Sequence, residues 1–389
     1  MRGTNLAEIL PRTLEIVEEV RLRGDEALFD FAERFDGARP DSLRVSAETI
    51  EQASVDAHTL DALRECIRAV RAFHERQWPE GFRFSTYPGV EAERRFQPLD
   101  SVGVYVPGGL APLPSSLVMG AVPAQAAGVG RIAVATPKPD PTILATAREL
   151  GLDEIYCVGG AQAIAALAYG TETVRRVDKI VGPGQSWTTA AKLLVSSVVG
   201  IDLPAGPSEV LIVADESADA ELCAADLKAQ AEHGPGSESL LVTTSAGLAS
   251  RVRELVGGNE QIQVELVESL EQAIKRSNDY APEHLELLVA DPELALLGVR
   301  HAGAIFLGPY APAAVGDYAV GTNHVLPTGG LAKSCGGLGL EAFLKPLEIV
   351  RIDRRGLEQL APVVTTLAKV EGLTNHAAAV EARLETRES

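Results

Sequence analysis

The chain has 389 residues, 46% of them apolar and 5% aromatic, and a formal net charge of −19. That length suits two or three domains with sizeable buried cores. The negative charge would repel a phosphate backbone and the scarce aromatics offer little stacking surface, so DNA and RNA are excluded as partners.

The opening segment MRGTNLAEILPRTLEIVEEV has no apolar signal core, and no run approaches the length of a membrane-spanning helix. A membrane partner is therefore not expected. Cys66, Cys157, Cys223 and Cys335 are scattered and form no close pair. They read as unpaired thiols in a reducing cytoplasm rather than as disulfides or metal ligands.

The first hundred residues read mainly as helix. Leu6, Ile9, Leu10, Leu14 and Val17 fall near a 3.6-residue period. Further helical runs cover 24–35 and 58–77, and Ser46 is placed to cap a helix starting near Ala47. Tyr87-Pro88-Gly89 reads as a turn between extended segments. From about Leu99 the pattern becomes strand, glycine turn, helix. Strands are expected at 101–106, 131–136, 154–158 and 179–181, with helices at 116–127, 141–151, from 162, and up to 198. Three of these strands end in Pro-Gly-Gly, Gly-Gly or Gly-Pro-Gly. This rhythm predicts a doubly wound parallel sheet, whose ligands sit at the carboxyl ends of its strands.

A second α/β block follows, with a strand at 210–214 and a helix at 218–233 stopped by Gly234-Pro235. Further strands are expected at 240–244, 284–289 and 304–307. The segment 308–339 has little periodicity and is rich in Gly, Pro, Asn and Asp, as functional loops are. Two helices close the chain, at 356–371 and 375–385. The fold class expected is α/β, with two Rossmann-like parallel-sheet domains, a helical N-terminal region and a C-terminal helical tail.

Four of the seven histidines fall in suggestive places. His233 ends a helix with Gln230 one turn before it, so both side chains can face one point. His284 follows Glu283 in Ala-Pro-Glu-His. His324 lies with Asp317 in the long loop, and His376 starts the last helix. Two readings of these residues stand side by side. A His at a helix C-terminus is favoured by the helix dipole, Glu283-His284 is compatible with a surface pair, and no tight metal motif such as HExxH is present. The alternative is a metal site with an adjacent acid/base unit. Similarly, no GxGxxG follows any strand, and the glycine turns point to a dinucleotide only as a set.

Taken in order, the segments SVGVYVPGG (101–109), VGGAQAIAALAYGTE (158–172), VDKIVGPG (177–184), DLPAGPSEV (202–210), QAEHGP (230–235), PEHLE (282–286), GDYAVGTNHVLPT (316–328) and EGLTNH (371–376) resemble the histidinol dehydrogenase family. The resemblance is collinear over most of the chain. It implies a homodimeric enzyme that oxidises L-histidinol through L-histidinal to L-histidine with two NAD⁺, the last step of histidine biosynthesis. It implies zinc held by Gln230, His233, Asp317 and His376, with the C-terminal segment reaching into the partner subunit so that the two active sites are shared. Ser208, His324 and Glu371 match further substrate contacts, beside Gln230, His233, His284, Asp317 and His376. His284 matches the base for the alcohol proton, and Glu283 the group that activates water in the second oxidation. Tyr105 and Gln162 match NAD contacts. Gln185 stands where the family usually carries Asn after Gly-Pro-Gly, which leaves that cofactor contact open. The chain is also expected to begin a few tens of residues late, and the stretch before Glu283 looks short. The implied division is a substrate and zinc domain of 1–100 with 206–345, an NAD-binding domain of 101–205, and a tail of 346–389. A paralogue oxidising another small alcohol on the same zinc and NAD scaffold is the alternative.

Overall fold

The computed structural model describes residues 6–385 except 109, 110, 205 and 235. Gly109 of the Pro-Gly-Gly turn, Ala205 and Pro235 of the matched segments therefore lie outside the described residues.

In chain order the strands are β1 Phe82–Tyr87, β2 Val90–Pro98, β3 Ser101–Tyr105, β4 Arg131–Thr136, β5 Ile155–Cys157, β6 Lys179–Val181, β7 Gly200–Ile201, β8 Glu209–Ala214, β9 Glu238–Thr243, β10 Ile262–Leu266, β11 His284–Leu288, β12 Ala304–Leu307 and β13 Leu344–Ile352. They divide between two compact units. The first comprises the described residues of Met1–Gln77 and Leu99–Phe343, the second those of Trp78–Pro98 and Leu344–Ser389.

The first unit holds two five-stranded sheets, ordered β5-β4-β3-β6-β7 and β10-β9-β8-β11-β12. Every pairing in them is parallel. Each sheet starts with its central strand, builds outward on one side, then crosses to the other. The crossing makes a topological switch point between β3 and β6 in one sheet and between β8 and β11 in the other. β8 is buried at all six positions, as a strand covered by helices on both faces must be. The helix Gly160–Tyr169 is apolar nearly all round and buries eight residues, five of them alanines that let it lie close to the sheet. The helices Leu6–Arg23 and Asp25–Phe31 bury Val17, Val20, Leu28 and Phe31 in the first sheet's core, beside Ala133, Ile164 and Leu167.

The second unit is an antiparallel sheet ordered β1-β2-β13, followed by the helices Arg354–Val370 and Thr374–Glu385. The expected turn at 87–89 is the hairpin joining β1 to β2. The tail thus opens with a strand before its two helices. The Ser46 hydroxyl accepts from Thr49 N, which confirms the expected cap. Among the described residues the long loop contains only a short helical turn, Ala313–Gly316, and 3-10 turns at Leu331–Lys333 and Leu340–Phe343 beside its C-terminal end.

Candidate active site

Two adjoining cavities lie within the first unit. The larger, about 630 Å³, is lined on one side by Pro107, Gly184 and Gln185, which follow β3 and β6. Its other side is lined by Ser208, Ser237, Glu283 and His284, which precede or open β8, β9 and β11. The cleft therefore joins the carboxyl edge of the first sheet to the amino edge of the second. The second sheet's own switch point is filled from within. The Asp215 carboxylate, just after β8, accepts from Ala290 N at 2.9 Å, Ser217 N at 2.9 Å and the Ser217 hydroxyl at 2.5 Å. Backbone amides that would meet a ligand there are already occupied.

The larger cleft gathers His233, Glu283, His284, Asp317 and His324. Three rings share one arrangement. Nδ1 of His233 faces the Gln230 carbonyl at 3.2 Å, Nδ1 of His284 faces the Glu209 carbonyl at 3.1 Å, and Nδ1 of His324 faces the Asp317 carbonyl at 3.0 Å. A carbonyl only accepts, so each Nδ1 carries a proton and each Nε2 stays outside that bond. Burial lowers the His284 pKa and pushes that of His324 down to about 4, so both rings are neutral at ordinary pH.

Glu283 is 6% exposed. Its Oε2 accepts from the Ser208 hydroxyl at 2.6 Å and from Glu209 N at 2.8 Å. Burial pushes its pKa up to about 7 despite those two bonds, with the Asp317 charge adding to the rise. Burial also raises Asp317, opposed by His284 and His233. A carboxyl that titrates near neutrality beside a neutral imidazole is a pair suited to proton transfer in both directions.

Gln230 is buried one turn before His233 in the helix Ala220–Ala231, and its Nε2 has no hydrogen-bond partner. Among the described residues no group of three or more His, Cys, Asp and Glu side chains is close enough to hold a metal ion. Of the four expected ligands, His233 and Asp317 line the cleft, while Gln230 lies buried beside His233 in the chain and is not among the lining residues. Glu371 and His376 belong to the second unit, Glu371 as the C-cap of Arg354–Val370 and His376 in the first turn of Thr374–Glu385; both are exposed.

The smaller cavity, about 350 Å³, is lined by neutral side chains only, including Tyr105, Gln162 and Gln185. It lies at the carboxyl ends of β3, β5 and β6, where the helices Gly160–Tyr169 and Ser186–Val195 begin. Such helix starts present unpaired N–H groups and attract phosphates. The Tyr105 hydroxyl accepts from Gly160 N at 3.0 Å, tying two of these turns together. Gln185 lines both cavities, so the amide that departs from the family's Asn stands where they meet.

Phe35 and Trp187 also line the smaller cavity and Tyr318 the larger. Sequence reading passed over all three. Trp187, directly after the Gly-Pro-Gly-Gln turn, was the one with a usable signal: an aromatic in the first turn of a helix that follows a ligand-binding loop.

A histidinol dehydrogenase family model matches residues 2–384. The histidinol dehydrogenase of Methanosarcina barkeri is 45% identical, over 98% of this chain and 93% of its own length. That of Methanothermobacter thermautotrophicus is 46% identical, over 97% and 94%. The crystal structure of histidinol dehydrogenase from Elizabethkingia anophelis superposes with a TM-score of 0.91 at 36% identity, covering 99% of this chain and 93% of that one.

Proposed function

This chain belongs to the histidinol dehydrogenase family, and from that premise we propose that it oxidises L-histidinol through L-histidinal to L-histidine at the larger cleft, using zinc and two NAD⁺. The observation that carries the reading is the pairing of neutral His284 with Glu283, whose pKa lies at about 7, on a wall shared with His233 and Asp317. One chemistry needs a base for an alcohol proton and then a base for water, and these two residues supply both.

The residues fit a zinc ion whose shell one chain leaves incomplete. His233 has Nδ1 tied to a backbone carbonyl, the outer bond that orients a metal-binding imidazole and frees its Nε2. Asp317 supplies a carboxylate. The buried Gln230 amide nitrogen lacks a partner, and turning the amide half a revolution presents a carbonyl oxygen to a cation instead. The partner subunit's His376 would be the fourth ligand in a homodimer with shared sites. When bound, zinc would anchor the substrate's imidazole and amino nitrogens, and NAD⁺ would supply the two-electron acceptor.

The chain's own groups do the rest. His284 Nε2 takes the alcohol proton. Its burial disfavours the charged ring, so the proton passes on rather than resting there. Glu283, ionised, takes a proton from the water that adds to the aldehyde, while the Ser208 hydroxyl and Glu209 N hold the carboxylate in place. Ser208, His324 and the partner subunit's Glu371 complete the substrate contacts. Tyr105, Gln162 and Gln185 hold NAD in the smaller cavity. In this reading 101–205 is the NAD domain, 1–100 with 206–345 the substrate and zinc domain, and 346–389 the tail that reaches the partner. No helix among the described residues is long and apolar enough to cross a membrane, which accords with a cytoplasmic enzyme.

Zinc-loaded protein given saturating L-histidinol and NAD⁺ is expected to form NADH, to lose this activity on chelation and to regain it with zinc. Loaded protein that forms no NADH would refute the substrate. Turnover indifferent to the chelator would refute the metal.

A further inference from the structure

Behind the turn that separates the two cavities lies an ion pair that the proposed chemistry does not use. Lys192, in the second turn of Ser186–Val195, and Asp202, just after β7, meet at 2.6 Å with side chains 3% and 1% exposed. Both also bond to one residue, Gly182. Lys192 Nζ donates to the Gly182 carbonyl oxygen, and Gly182 N donates to Asp202 Oδ2 at 2.7 Å. The three groups close a ring around a single residue.

Gly182 is the residue that makes this turn possible. Its φ is +117°, and a Cβ there would lie 2.1 Å from the Tyr105 carbonyl oxygen. Only glycine fits, and a glycine is free to move unless something holds it. From Gly182 the chain runs through Pro183 and Gly184 to Gln185, which lines both cavities. Trp187 and Thr188, on the next turn, line the smaller one, and Ser186 and Thr189 the larger. A fully desolvated ion pair is an expensive way to stabilise a fold, since apolar residues of similar size serve as well or better. It does, however, fix direction, and here its bonds are directed at the glycine that opens a cavity-lining loop.

We propose that the Lys192–Asp202 ion pair is a positioning device for nucleotide binding, setting the 182–185 loop and hence Gln185 at the junction of the two cavities. The inference rests on the reading of the smaller cavity as the NAD site. Either single substitution would leave a buried charge unpaired and threaten folding. The informative variant is therefore the double substitution Lys192→Met with Asp202→Leu, which removes both charges and keeps the volume.

The full-length zinc-loaded double variant is compared with the parent by NAD⁺ titration calorimetry, steady-state kinetics at saturating L-histidinol, and thermal unfolding. The variant is expected to unfold within roughly 5 °C of the parent. Its NAD⁺ dissociation constant and KM are expected to rise about tenfold or more, with kcat at saturating NAD⁺ changed less than about threefold, because a misplaced binding loop costs ground-state and transition-state binding alike. A folded double variant that binds NAD⁺ as the parent does would overturn the proposal, as would one that cannot fold, which would make the pair a folding element. A parent protein that neither binds nor reduces NAD⁺ would remove the nucleotide reading itself, and the positioning role with it.

Discussion

Glu283 and His284 are neighbours in sequence, and the backbone of one residue on the adjacent strand governs both. Glu209 N donates to the Glu283 carboxylate, and the Glu209 carbonyl accepts from His284. The parallel register of β11 on β8 makes this possible, since it places His284 opposite Val210. Burial then moves the two groups in opposite directions, the acid up to about 7 and the base down. Two carboxyl and imidazole groups that would ordinarily both be charged at slightly acid pH become a neutral base and an acid poised near neutrality. Their roles should separate under mutation. Glu283→Gln keeps an acceptor for Ser208 and loses the proton site. It is expected to slow NADH formation from L-histidinal by roughly 10²- to 10⁴-fold, the usual range for loss of a general base, and the alcohol step much less. Equal losses in the two half-reactions, measured with each substrate supplied separately, would end that division of labour.

At the scale of elements, a buried carboxyl, Glu286, lies beside a half-buried one, Asp226, behind the site. Glu286, in β11 two residues beyond His284, is fully buried, and its Oε1 accepts from Ala313 N at 2.7 Å. Asp226, on the helix that carries Gln230, lies beside it. Burial and the neighbouring Asp226 push Glu286 up to about 8 from its ordinary 4.5. Such a carboxyl is protonated in the folded protein and ionised in the unfolded chain across that window, so the stability it contributes at low pH is lost as pH rises from 4.5 toward 8. Glu286→Gln, a permanently neutral mimic, is expected to gain on the parent in melting temperature between about pH 5 and about pH 8.5. Melting curves that stay parallel across that range would contradict the protonated state.

The strands that bury continuous apolar runs, and the glycine turns after them, were legible in the sequence. Three weakly patterned strands were not. β10 alternates half-buried and exposed residues, β7 has two residues, and β13 is mostly exposed, so their hydrophobic runs carry no strong signal. β13 also finds its partner far away, pairing with β2 across some 250 positions of chain. The helical run at 24–35 is a helix that loosens into a π-turn at Ala32–Asp36. Of the site, the Gln230–His233 pair is readable from helical spacing and Glu283-His284 from adjacency. That Ser208, Asp317 and His324 stand beside them follows from β8 and β11 being neighbours and from the loop after β12 folding back, which no local pattern records. The Lys192–Asp202–Gly182 ring escaped for the same reason, since its members belong to a helix, a loop and a turn.

Across the whole molecule, the first unit carries the cleft proposed to hold zinc, and the second carries the exposed groups proposed to complete it. The second unit leaves Phe82, Phe84, Val350, Val363, Leu367 and Val370 exposed. The same unit holds Glu371 and His376, both exposed. A homodimer in which this unit reaches the neighbour's cleft would cover the one and complete the other. Subunit mixing tests that claim most directly. His233→Ala and His376→Ala proteins should each be inactive, because in the proposed arrangement neither homodimer would contain a whole zinc site. Co-refolded or exchanged with one another, they form mixed dimers in which one cleft has both its own His233 and the partner subunit's His376. Our account predicts that L-histidinol-dependent NADH formation returns on mixing, up to about a quarter of the parent rate for statistical exchange with one intact site per mixed dimer. No recovery, with exchange demonstrated by differently tagged subunits, would contradict the shared site and place His376 in its own chain's cleft or outside catalysis altogether.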